Sequence, residues 1–162
     1  MSAFVEISEK FIKVVEEFMP ELKSRIVIYG QSWGEPKDGK PYVIISMLDS
    51  PLSNFTDSNN QKDEWARTFK IELHVYGRNL DTLDIAEKLA FINEKTMNIN
   101  KFLKNGIGVF CNRKIKPRPE TEGSTVIYRY DLEFALTFIG RSEPSRSEFE
   151  QSGELAALTT ER

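Results

Sequence analysis

The chain has 162 residues, a formal charge of −3 and a single cysteine. That length gives one domain with room for a core, and the acidic balance argues against general nucleic-acid binding, which needs a basic excess. One cysteine and one histidine exclude an internal disulfide and any multi-cysteine metal site, and no apolar run is long enough to cross a membrane as a helix.

The chain opens with Phe4, Ile7, Phe11, Val14, Val15 and Phe18 at three- and four-residue steps, which predicts an amphipathic helix over about residues 4–19. Acids throughout this start argue against a secretory signal. Pro20 ends the helix. Arg25–Tyr29 reads as a short strand, Gly30–Lys40 as a loop, and Tyr42–Leu48 as a second strand. Asp49–Glu64 is polar and without period, the mark of a functional or mobile loop, and its Asn54-Phe55-Thr56 sequon reads as chance.

Arg67–Gly77 alternates strictly and predicts a third strand. Asp81 is placed to cap a second helix, whose apolar stripe runs from Leu83 to about Lys95. A short turn over Ile99–Lys104 follows, and Asn105-Gly106 stops it. Ile107–Cys111 is a fourth strand, and Asn112–Ser124 reads as a turn region. Thr125–Ile139 then holds period two for fifteen residues, with Val126, Tyr128, Tyr130, Leu132, Phe134, Leu136 and Phe138 on one face. At about 3.3 Å per residue it must bend, bulge or outrun its own sheet. The expected fold is α+β: an antiparallel or mixed sheet of about five strands, two main helices on one face, order α-β-β-β-α-β-β. Residues 1–140 form the expected domain, and 141–162 a polar tail, ordered by a partner if at all.

Chemistry is sparse. His74 reads as a solvated or hydrogen-bonded strand residue with no nucleophile in a recognisable elbow. Asp131 and Glu133 share the polar strand face about 6.6 Å apart, a spacing that acid–base pairs use, but Arg129 before them makes a charge-paired surface the plainer reading. Gly106-Ile107-Gly108 is a helix stop and no phosphate loop. Asp57, Asp63 and Glu64 lack calcium-loop spacing, so no metal or cofactor is expected. Arg113, Lys114, Lys116 and Arg118 form a basic cluster suited to phosphate or an acidic partner, or else a solvated loop. Trp33, Phe55 and Phe149 lack an obvious core and suit a subunit interface or contacts under their own loops.

Four pieces taken together resemble the phage neck and tail-terminator proteins. They are the first helix followed by Ile26-Val27-Ile28-Tyr29, Gln31, Pro36 and Pro41-Tyr42; the Glu72–Gly77 strand end running into a helix with Asp84, Ala86 and Leu89; Gly106–Phe110; and Tyr128–Phe134 opening the long strand. The Gln31–Pro41 loop and the stretch after Gly140 depart from that pattern. The resemblance implies a virion protein assembled in the host cytoplasm, a ring of about six copies that caps the tail tube and joins it to the head–tail connector without catalysis. Its partners would be further copies of itself, tail-tube subunits, sheath subunits if the tail is contractile, and connector proteins, with DNA passing through without specific binding. The exposed sheet edges and the long strand would pair or pack across subunits. Arg129, Asp131 and Glu133 join the basic cluster and the three aromatics as candidate interface residues. The rival readings are a head-completion or stopper subunit, a small hydrolase using Asp131 and Glu133, and a monomeric binding module.

Overall fold

The computed structural model describes residues 2–49 and 68–139. Among them the elements run α1 (Ala3–Phe18), β1 (Ile26–Ile28), β2 (Tyr42–Asp49), β3 (Thr68–Gly77), α2 (Asp81–Ala90), α3 (Thr96–Lys104), β4 (Ile107–Cys111), β5 (Lys116–Pro117), β6 (Glu120–Glu122) and β7 (Thr125–Phe138). Single 3-10 turns follow α1 at Pro20–Leu22 and α2 at Ile92–Glu94. The fold is α+β, and the expected loop Asp49–Glu64, with Phe55, and the tail, with Phe149, fall outside the described residues but for the backbone of Asp49.

The sheet is mixed, in the order β1-β2-β3-β7-β4, with β1 parallel to β2 and every other pair antiparallel. β7 is its spine. One side pairs with β3 without interruption from Thr137 to Tyr128. The other side is taken in succession by β4, β5 and β6. Of the three ways to accommodate so long a strand, this one runs past its sheet: Thr125–Ile127 continue beyond β3 as a ribbon with β6, turning at Gly123 (φ 65°).

Helix formation follows local chemistry. Ser2 Oγ accepts from the Val5 N–H at 3.1 Å and caps α1, whose Ile7, Phe11, Val14 and Val15 are buried. These meet Phe102 of α3, Leu89 of α2 and the inward residues Ile71, Leu73, Leu132, Phe134 and Leu136 in one core. Phe11 stacks on Phe102 at 5.7 Å and meets Phe134 edge-on at 5.4 Å.

Several sequence expectations shift. Asp81 is the first residue of α2 and not its cap; Leu80 holds the cap position without a side-chain bond, and Asn79 Oδ1 just before it accepts from the Asp81 N–H at 3.1 Å. The second helical stripe does not reach Lys95, because the helix ends at Ala90 and tightens into a 3-10 turn. The expected short turn at Ile99–Lys104 is a full helix from Thr96, closed by Gly106 at φ 82°. Gly77 closes β3 because nothing larger fits: a Cβ there would stand 1.9 Å from Thr82 Oγ1.

Both outer edges of the main sheet are partly capped. On β1, Gln31 Oε1 accepts from the Ile28 N–H at 2.9 Å, and the Gln31 N–H donates to the Ile28 carbonyl at 3.0 Å. On β4, the Asn93 side-chain amide donates to the Val109 carbonyl. A free strand edge is a template for pairing, and these carboxamides occupy part of it.

Candidate functional site

Alternation sends Phe69, Ile71, Leu73 and Val75 of β3 toward the helices and Lys70, Glu72, His74 and Tyr76 to the opposite face. Register then decides the neighbours. His74 lies opposite Asp131 and Ile44, Glu72 opposite Glu133 and Ser46, and Tyr76 opposite Arg129 and Tyr42. The polar residues of three strands thus converge on the helix-free face.

Asp131 is the centre. Its place on the polar alternation suggested a wet carboxylate, yet it is 1% exposed. The Arg129 Nε–H donates to Oδ1 at 3.0 Å and its Nη2 to Oδ2 at 3.2 Å, while Arg118 Nε reaches Oδ2 at 2.9 Å. His74 Nδ1 stands 2.8 Å from Oδ1. A carboxylate only accepts, so Nδ1 carries the proton, and its 3.2 Å approach to Arg129 Nη2 is a contact without a hydrogen bond. Burial pushes the Asp131 carboxyl up, but the hydrogen bonds from Arg129 and His74 outweigh it and hold it below the usual carboxylate range. Burial works against the Arg129 charge, and its hydrogen bonds to Asp131 and Glu120 outweigh that too. Arg129 also donates to Glu120 Oε2 at 2.9 Å and lies over the Tyr76 ring at 5.6 Å. Tyr76 stacks on Tyr42 at 5.3 Å, and Trp33 of the preceding loop packs on Tyr42 of β2 at 5.3 Å.

The basic cluster is drawn apart. Lys116 pairs with Glu133 at 3.3 Å and Arg118 with Asp131, both through β5. Arg113 turns away to Glu94 at 2.8 Å and to the Phe91 ring. Lys114 is exposed. Three of the four cations are therefore neutralised within the chain and are poor phosphate ligands.

Three chemistries can be weighed on this face. Ser46 Oγ lies 2.9 Å from His74 Nε2, so Ser46, His74 and Asp131 have the connectivity of a nucleophile, base and orienting acid. Ser46 sits inside β2 and not at a strand-to-helix turn where backbone amides gather, and two guanidinium groups neutralise the acid. Asp131 and Glu133 are each engaged by cations and offer no free acid–base pair. Glu72, His74 and Asp131 bring ligand atoms within 4.8 Å of one another, but a divalent ion there would face Arg118 and Arg129 across the same carboxylate. The small recess by Glu35, Tyr42, Arg78 and Ile127 has room for about one water. Sequence reasoning missed Ser46, Glu72, Tyr42 and Tyr76 as members of this site, since their alternation was visible but their register was not, and it missed Glu120, whose three-residue strand shows no period.

A search of curated proteins finds no match. A family model described as phage neck terminator protein matches residues 9–150, eleven positions past Ile139, the last residue described. That span covers most of the chain, from within α1 through the whole sheet, and the protein belongs to the phage neck terminator family of virion structural proteins.

Proposed function

We propose that this protein works as a ring of identical copies, about six, that caps the tail tube and joins it to the head–tail connector. The family match over residues 9–150 carries the reading. The geometry supports it: the charged groups gathered on the helix-free face are saturated within the chain, which suits a part that fits and transforms nothing. Ring closure needs two different surfaces that meet after a fixed rotation. The capped edges of β1 and β4 favour packing of faces over strand-to-strand pairing. The contacts then fall to the exposed β6–β7 ribbon, to Trp33 at the rim of the helix-free face and to the exposed Lys114. The acidic balance suits a channel that DNA passes without adhering.

Native mass spectrometry of the protein alone and with tail-tube subunits tests this. A closed oligomer in either condition is expected; a strict monomer in both overturns the reading.

A further inference from the structure

The α3 helix carries an unfinished surface. At about 100° per residue, Ile99, Leu103, Lys104 and Met97 fall within one arc of roughly 160°. All four are exposed, Met97 at 70%. Lys95 and Lys104 stand at the two ends of this face, and neither makes an ion pair among the described residues. Phe102 enters the core, while Ile99 and Leu103 form an adjacent apolar pair on the outer face, with exposed Asn100 and Lys104 between them and Met97.

The chain itself supplies a complement. The Ile139 N–H donates to the Gly106 carbonyl at 2.8 Å, and the Gly106 N–H donates to Leu103 at 2.9 Å. The residues after Ile139 thus leave the fold beside the C-terminal end of α3. Between Ser147 and Leu158 stand Glu148, Glu150 and Glu154 with no base, interleaved with Phe149, Leu155 and Leu158. Apolar side chains meet exposed Ile99, Leu103 and Met97, and acids meet two lysines that make no ion pair among the described residues. Ten residues from Ile139 to Phe149 reach about 35 Å when extended, against a helix of about 13 Å. So short a tether sets an effective concentration on the order of 1 mM, which favours this chain's own segment over that of a second copy.

We propose that Ser147–Leu158 binds the exposed face of α3 in the same chain, Phe149 seated along Ile99, Leu103 and Met97 and the glutamates against Lys95 and Lys104. The segment covers an apolar face while the subunit is free. This interaction does not depend on ring formation.

Phe149→p-benzoylphenylalanine in the full chain, irradiated at a dilution where it is monomeric, reads the contact directly. The expected product has monomer mass and joins position 149 to residues 91–104. Met97→Ser with Leu103→Ser lowers its yield about tenfold, as loss of two apolar contacts would. Lys104→Glu, which touches no core residue, lowers it as well, and circular dichroism verifies that both variants are folded. Adducts elsewhere in the chain, adducts only to a second copy, no adduct at all, or a yield indifferent to all these substitutions overturn the proposal.

Discussion

The helix-free sheet face and the outer face of α3 make opposite use of charge. On the sheet, Asp131 gathers Arg129, Arg118 and His74, Glu133 takes Lys116, and Glu120 takes Arg129. His74 of β3, Lys116 of β5 and Glu120 of β6 are thereby tied to Asp131, Glu133 and Arg129 of β7, with Arg118 joining from between β5 and β6. On α3 the cations Lys95 and Lys104 flank bare methyl and thioether groups and bind nothing among the described residues. A surface whose charges are already spent holds its own domain together. A surface left unspent is free to recognise something else.

Substitutions should separate the two. Asp131→Ala should be the most damaging, since it strands two arginines and a histidine; removing one partner of a buried pair costs about 3–5 kcal/mol. Urea denaturation measures it, and a loss under about 1 kcal/mol would make the network ornamental. Gly77→Ala comes next, at about 1–3 kcal/mol from forced repacking against Thr82. Thr82→Ala in the same chain should recover most of that loss, and a double-mutant cycle reports the coupling.

Acid gives a third, smaller contrast. The Asp131 pKa is held below its unfolded value. Its stabilisation is therefore present above an unfolded pKa of about 3.9 and is lost as pH falls through the lower folded value. Thermal melts between pH 5 and 2 should fall more steeply for the natural chain than for Asp131→Asn; parallel curves would remove the carboxylate from the account. Smallest of all, Lys116→Ala should change stability by about 0–1 kcal/mol, because that pair is half exposed. Met97→Ser should fall within about 1 kcal/mol of the natural chain, since its side chain stands outside the core.

The elements with a strict period were legible in the sequence. Ile107–Cys111 and the alternation of β3 and β7 follow from side chains pointing to opposite faces. β5 and β6 were not legible: two and three residues long, beside Pro117 and Pro119, they have no period to read. The α3 helix was read as a turn because Met97, Ile99 and Leu103 interrupt the inward stripe with apolar residues that face out. Asp131 shows the deeper limit. Alternation put it on the right face, but burial came from Arg118, thirteen residues back, and from His74, fifty-seven residues back. Strand pairing places those neighbours, and a single sequence does not display its register. The expected domain boundary at residue 140 and the aromatic candidates Phe55 and Phe149 lie outside the described residues.

The carboxamides of Gln31 and Asn93 bear on solubility during synthesis. Many copies of a virion part crowd one cell before any particle exists, and bare strand borders at that concentration invite endless stacking into fibrils. Two side chains that each occupy part of a border from within oppose that stacking.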